Sequence, residues 1–461
     1  MTTAPGEPIS TSDRPGFETR QIHSGELDEG SFGARITPIY LTNAFRFDSF
    51  QQATERFAGT DGGQSYSRNH NPTNDVAERR IADLEGGTGA VAVGSGAAAI
   101  TSVILGLASA GEHFVSMASI YSGTRTLFTR TFGRLGIEVD FVWEPLVEEA
   151  WEALIRPTTK AIYVETIPNP KSDLVDFRVI RRVAERHGIP IVVDNTVATP
   201  YLFRPLEHGA DIVVHSGSKF LTGQGAIISG LVVDGGRFDW AGSSRRYPLL
   251  TDRPASGAPS FLERYGPSHA FEQYLRIAVV NDIGPALSPF NAFLLQQGME
   301  TLSLRMERHV SNAQAIAEWL ESRPEVESVD HAGLPSSPSH AIALRDFGGR
   351  AGSVLAVTVA GGRAGAEVFL DRLELFSRMT NIGDVRSMAL HPASTTHLTF
   401  PDAVRERLGI HPGLIRLSVG LETVADLIAD LAAGLDAVAE AGFAAASADA
   451  GAGVDTAGVD A

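Results

Sequence analysis

The sequence predicts an α/β protein with a mostly parallel sheet in a large first domain and a smaller α+β domain after it. Three observations carry that expectation. Short, largely apolar runs, such as Ala90–Val93 and His113–Met117, alternate with helical patterns in the first half of the chain. Such strands are buried on both faces, as in parallel sheets covered by helices. From Asn281 onward the alternation loosens into a long helical stretch and then mixed strands and helices. The 461 residues, 43% hydrophobic and 20% charged, are enough for two domains with ordinary globular cores.

The elements follow in order. Residues 1–73 read as an N-terminal arm, with 1–16 disordered because they hold too little apolar area to offset ordering. Val76–Leu84 is helical, and Gly94-Ser95-Gly96 turns the strand Ala90–Val93 into a helix from Ala97 to Ala108. Strands follow at His113–Met117, Lys160–Val164, Ile189–Val193 and Asp211–His215. Between the second and third of these, Asp176 caps a helix whose apolar face is Val179, Ile180, Val183 and Ala184, and Gly188 ends it. Asp239–Pro267, rich in Gly, Ser, Pro and Arg, reads as a long loop. The cofactor-sized domain then spans 74–287 and the small domain 288–442, with a disordered tail at 443–461. In the small domain a long helical pattern runs from Ser288-Pro289 to Arg323, with strands at Val326–Val329, Val354–Val359 and Leu414–Val419 and a last helix from Val424 to Ala441.

Composition excludes several functions. A formal net charge of −17 argues against nucleic acid as a partner, since phosphate backbones need a basic face. The absence of cysteine excludes disulfides, thiolate nucleophiles and cysteine metal sites. No signal-like or membrane-spanning apolar stretch is expected, so the default location is the cytoplasm.

The chemistry-bearing residues sit at strand ends, where parallel sheets bind ligands. Lys219 follows a buried strand in His215-Ser216-Gly217-Ser218-Lys219. Burial favours a free amine, which imine formation needs, and Ser216 and Ser218 are potential phosphate donors. Taken alone, a lysine there is more often a snorkelling surface residue. Asp194 closes its own strand 25 residues earlier and could keep a pyridine nitrogen protonated; capping the next turn is the competing role. Gly94-Ser95-Gly96-Ala97, between strand and helix, offers bare amides to a phosphate. The same glycines resemble a dinucleotide fingerprint, but the acid that this requires is missing at Ser116–Ser119. Arg416 interrupts the apolar run Leu414–Val419, either to clamp a carboxylate or as an edge-strand charge. Tyr66 and Arg68 lie on the arm, placed to reach a neighbouring subunit. Tyr121 follows a strand and could stack on a planar ring or simply pack. His391 and His397 match no metal-ligand spacing, so no metal is expected.

Together these segments resemble the Cys/Met-metabolism family of pyridoxal-phosphate enzymes from about Glu18 to Ala441, most closely its O-acetylhomoserine sulfhydrylase branch. The likeness lies in ordered motifs: Glu18–Gly25, Tyr66–Thr73, Val193–Thr196, Gly209–Ser216, Ser288–Phe293, Gly298–Leu302, Arg305–His309, Asn381–Asp384, His391–His397 and Ile415–Gly420. It implies the aspartate-aminotransferase-like (type I) fold, pyridoxal 5'-phosphate as cofactor, and tetramers with shared active sites. It makes Lys219 the Schiff-base lysine and a catalytic residue, Asp194 the partner of the ring nitrogen, and Tyr121 the stacking tyrosine. Gly96, Ala97, Ser216 and Ser218 would hold the phosphate with the neighbour's Tyr66 and Arg68. Arg416, Asn381 and Asn169 would bind the substrate carboxylate. The implied reaction is γ-replacement on O-acetyl-L-homoserine by sulfide, giving L-homocysteine for methionine biosynthesis. Cystathionine synthesis and γ-elimination are the alternatives on the same fold, and a nicotinamide oxidoreductase is a remote one. Three positions depart from the family pattern, and a fourth, Gly123, argues against a lyase. Ser218 replaces a threonine, Gln224 a histidine and Ser122 a glycine, and Gly123 stands where methionine γ-lyases have cysteine.

Overall fold

The structure, a computed structural model, describes residues 14–27, 33–243 and 246–443. Most of the ends that the sequence marks as disordered, 1–13 and 444–461, lie outside these residues. The chain divides into two compact units: 1–120 with 124–166 and 175–307, and 121–123 with 167–174 and 308–461.

The first unit is built on seven strands: β1 (Gly89–Val93), β2 (His113–Met117), β3 (Glu138–Val142), β4 (Thr159–Glu165), β5 (Ile191–Asp194), β6 (Ile212–His215) and β7 (Gly230–Asp234). Their order is β1-β7-β6-β5-β4-β2-β3, parallel from β3 through β6, with β7 antiparallel to both β6 and β1. The apolar runs are buried along their whole length, as the sequence pattern requires. The helix Phe177–His187 has the predicted Asp176 cap, with the carboxylate accepting from the Arg178 amide, and Gly188 in the left-handed region.

The second unit has a five-stranded sheet of β8 (Val326–Asp330), β9 (Val354–Val359), β10 (Ser377–Arg378), β11 (Met388–Leu390) and β12 (Leu414–Ser418), in the order β10-β11-β12-β9-β8. Every pairing but β10–β11 is antiparallel. Helices Gly362–Arg372 and Val424–Glu440 close a core that includes Phe369, Leu417, Leu431 and Val438. Phe443, assigned from sequence to the tail, packs against that core.

Three local expectations change. β3 and β7 were not visible in the sequence, because β3 is only half-apolar and β7 follows a Gly-rich turn. The helical stretch after Ser288 is two helices, Pro289–Met299 and Leu302–Glu321. The segment 239–267 is not a bare loop. It holds helices Pro248–Thr251 and Phe261–Tyr265 and the fully buried Trp240, whose ring stacks on Phe271 at 5.3 Å. Aromatic anchoring, rather than periodicity, orders this segment.

His331, just beyond β8, is fully buried with Nδ1 lacking a hydrogen-bond partner, and burial pulls its pKa down to about 4. The folded state therefore binds this proton less readily than the unfolded chain, and the stabilisation is lost as pH falls from 6.5 toward 4. Denaturant titrations should show His331→Gln losing less stability than the wild type across that interval, by on the order of 2–3 kcal/mol. Equal losses would remove His331 as a source of acid sensitivity.

Candidate active site

In the first unit the strand ends bring the predicted cofactor residues together. β1 delivers the chain into Gly94-Ser95-Gly96, and the 12-residue helix Gly96–Leu107 starts there. Ser95 caps it by accepting from the Ala98 amide. The first-turn amides of Gly96 and Ala97 have no partner in the helical ladder. Gly96 is pressed against the end of β6: a Cβ there would lie 2.6 Å from Ser216 Cβ. Only glycine fits where these two backbones meet. Gly96 and Ser216, 120 residues apart in sequence, thus form one small polar corner at the positive end of a helix.

Asp194 ends β5, aligned with Val214 of β6 and Glu165 of β4. Its carboxylate accepts from the Thr196 amide at 2.9 Å and from the Tyr163 hydroxyl at 3.3 Å. Burial pushes its pKa up, and the bonds from Thr196 oppose that shift. Burial likewise drives the Tyr163 phenol well above its ordinary value, so it remains a donor. A raised carboxyl pKa beside neutral donors marks a site suited to receive a positive group, such as a protonated pyridine.

Thr196 is the residue that sequence reasoning missed. Its Oγ1 accepts the Ser216 amide at 2.8 Å and its hydroxyl bonds Asp194, so one side chain links the two strand ends. The signal was visible, in Asp194-Asn195-Thr196 at a strand end, but its partner was not.

Lys219 is half-buried on the turn after β6, its amide donating to the Ser216 carbonyl at 3.2 Å. The turn is held from behind by Arg305, whose guanidinium donates to the carbonyls of Phe220, Leu221 and Gly298. The Ser218 hydroxyl is bonded to the backbone of Ser229, donating at 3.2 Å and accepting at 2.9 Å. Tyr66 and Arg68 are exposed, with the guanidinium 5.0 Å from the tyrosine ring.

In the second unit, Arg416 is central rather than an edge charge. β12 lies between β11 and β9, with Arg416 opposite Leu390 and Ala356. It is 2% exposed, and Nη2 donates to the Asn381 carbonyl at 2.8 Å. No carboxylate pairs with it among the described residues, its Nε lacks a partner, and burial lowers its pKa to about 10. A buried guanidinium without a counter-ion is costly, and a bound carboxylate removes the cost. The Tyr121 phenol is near enough to oppose the pKa shift, and its ring is half exposed. A Cβ on Gly123 would lie 2.4 Å from that ring, so any side chain at 123 would displace Tyr121. Asn169 is half-buried ahead of a cis peptide bond to Pro170. His391 is occupied structurally, Nδ1 with Ser394 and Nε2 with the Pro412 carbonyl, both at 2.7 Å.

A family model described as Cys/Met metabolism PLP-dependent enzyme matches residues 18–436. The chain belongs to this family. Its cofactor is pyridoxal phosphate, which the helix-end corner and the Asp194 pocket fit. Among curated relatives, an O-acetyl-L-homoserine sulfhydrylase of Corynebacterium glutamicum is 45% identical over 433 residues, covering 93% of this chain and 99% of the relative. A solved Campylobacter jejuni structure, described as an O-acetylhomoserine (thiol)-lyase with a pyridoxyl-lysine monophosphate, aligns with TM-score 0.87 and 34% identity, covering 91% of this chain and 99% of that one. A cystathionine γ-lyase of Lactobacillus plantarum, solved with L-serine, aligns with TM-score 0.78 and 34% identity over 92% and 100%. The type I fold read from the motifs is therefore that of this PLP-dependent chain, and the nicotinamide alternative falls away.

Replacing Thr196 by Val removes both of its hydroxyl bonds and leaves the Ser216 amide unmatched, a loss of about 1–3 kcal/mol. Titration of the apoprotein with pyridoxal phosphate should show binding weakened roughly tenfold or more. Thr196→Ser should restore it, and wild-type affinity in the valine variant would show that the link is dispensable.

Proposed function

We propose that this enzyme converts O-acetyl-L-homoserine and sulfide to L-homocysteine and acetate. The observation that carries the reading is Arg416, a buried guanidinium with no carboxylate partner among the described residues, in a chain 45% identical to an O-acetyl-L-homoserine sulfhydrylase. Bound pyridoxal phosphate supplies an electron-accepting ring conjugated to the substrate nitrogen.

The chain's own residues do the rest. Lys219 would hold the cofactor through Nζ, and its free amine would move protons at the substrate's Cα and Cβ. Asp194 would keep the ring nitrogen protonated, and Tyr121 would offer the ring an aromatic face. Gly96, Ala97, Ser216 and Ser218 bind the phosphate, together with Tyr66 and Arg68 from an adjacent subunit of a homotetramer. For Ser218, that role requires its hydroxyl to turn from the Ser229 carbonyl, to which it donates in this structure. Arg416 binds the substrate carboxylate through its two nitrogen edges, helped by Asn381 and Asn169. The Cγ–O bond breaks to release acetate, and the new Cγ–S bond comes from sulfide. The net charge of −17 supports small-molecule substrates over nucleic acid, and no helix among the described residues is long and apolar enough to cross a membrane.

The competing outcome is elimination or cystathionine synthesis, since a structural neighbour is a cystathionine γ-lyase. Gly123 favours replacement: it leaves room for the Tyr121 ring where methionine γ-lyases resemble one another in carrying cysteine.

Two measurements test the proposal. The holoenzyme should form homocysteine from O-acetyl-L-homoserine and sulfide faster than from the O-succinyl donor, with little cystathionine from cysteine and no ammonia. Ammonia as the main product would transfer the assignment to a lyase. Lys219→Ala should lose the yellow absorbance of the covalently held cofactor and roughly a thousandfold or more in turnover. Retention of both would refute the role given to Lys219.

A further inference from the structure

In the second unit, the connection from β10 to β11 passes directly against Arg416. β10 and β11 are parallel neighbours, so no tight turn can join them, and residues 379–387 must run back along the sheet. They do so over one face of β12. Arg416 and Ser418, two residues apart on that strand, send their side chains to the same face, and both meet the connection there. Arg416 Nη2 donates to the carbonyls of Asn381 at 2.8 Å and Met379 at 3.4 Å. Ser418 is 0% exposed, and its Oγ accepts from the Gly383 amide at 3.1 Å. Gly383, at φ +72°, takes the left-handed conformation that L side chains resist.

The two halves of the connection are held differently. Residues 385–387 are tied to the chain beyond β12. The Leu421 amide donates to the Val385 carbonyl at 2.8 Å, and Glu422 accepts from the Ser387 amide at 2.7 Å and the Ser387 hydroxyl at 2.9 Å. Residues 381–383 meet β12 through Arg416 and Ser418 instead. Arg416 is the group offered to a ligand, with its Nε still without a hydrogen-bond partner among the described residues. Ser418 is therefore the fixed point for this half. Recognition of a carboxylate by a guanidinium is planar and two-pointed, so its strength depends on the plane the guanidinium keeps. That plane is set here by the Asn381 carbonyl, and the Asn381 carbonyl is set two residues on by Ser418.

We propose that Ser418 is a positioning residue for the substrate carboxylate: by holding Gly383 it fixes the Asn381 carbonyl, which orients Arg416 and so gives the site its preference for amines that carry a carboxylate. The proposal rests on the reading of Arg416 as the partner of that carboxylate. Ser418 touches neither substrate nor cofactor in this scheme; it acts through the connection and Arg416.

The test is titration of the holoenzyme with L-alanine and with L-alaninamide, which presents the same amine without the anionic group. The change in cofactor absorbance gives a Kd for each. Ser418→Ala should weaken L-alanine roughly threefold to tenfold, as expected for loss of one hydrogen bond, and leave L-alaninamide unchanged. In steady state the KM for O-acetyl-L-homoserine should rise by the same factor while kcat stays close to that of the wild type. Gly383→Ala, which strains the same turn from the other side, should show the same selectivity and serves if the serine variant does not fold. Equal weakening of both ligands, or of neither, would overturn the role given to Ser418. Arg416→Lys is the control: wild-type affinity for L-alanine in that variant would instead overturn the reading of Arg416 itself.

Discussion

The hydrogen bond from the Ser216 amide to the Thr196 hydroxyl is the point on which the cofactor-binding half of this enzyme turns. Parallel strands end flush but independently, and nothing in strand pairing fixes the side chain of one end against the loop of the next. Thr196 does so by accepting from Ser216 while its hydroxyl bonds Asp194. The neighbouring glycine finishes the arrangement. Because Gly96 lacks a Cβ, the helix start closes on Ser216 and the polar corner forms.

Both units keep cations where hydrocarbon would be cheaper. Arg305 is buried on the carbonyls of Phe220, Leu221 and Gly298, and its charge there is met by dipoles alone. Arg416 has fewer such bonds and an orphan Nε. The difference separates structure from function. A buried guanidinium whose donors are saturated by carbonyls holds a fold together, whereas one with donors left over is poised for an anion. Both have a pKa lowered by burial, so the pKa alone does not distinguish them.

Legibility in the sequence followed the range of the interaction. The Asp176 and Gly188 caps, the Ser95 turn and the apolar strands β2, β4, β5 and β6 rest on contacts within a few residues, and the pattern displays them. β7 was hidden behind the Gly-rich turn before it, and its antiparallel place between β6 and β1 depends on pairing with β1, far back in the sequence. The segment 239–267 read as loop because its order comes from Trp240 packing on Tyr247 and Phe271, which leaves no period. Arg416 was ambiguous for a similar reason: an arginine in an apolar run fits an edge or a centre, and the sheet order decides.

By itself the sequence determined the family and its cofactor, because ordered motifs spread from Glu18 to Ala441 are written locally, and it named Lys219 as the lysine to test. Only the tertiary structure decided which groups stand together. It pressed Gly96 against Ser216, joined Asp194 to Ser216 through Thr196, buried Arg416 with no counter-ion among the described residues, and set Glu85 against His215 and Asn195. The physical reason is distance along the chain. Glu85 and His215 are 130 residues apart, so no local propensity records their bond, and only folding supplies the dry, shared space in which it matters.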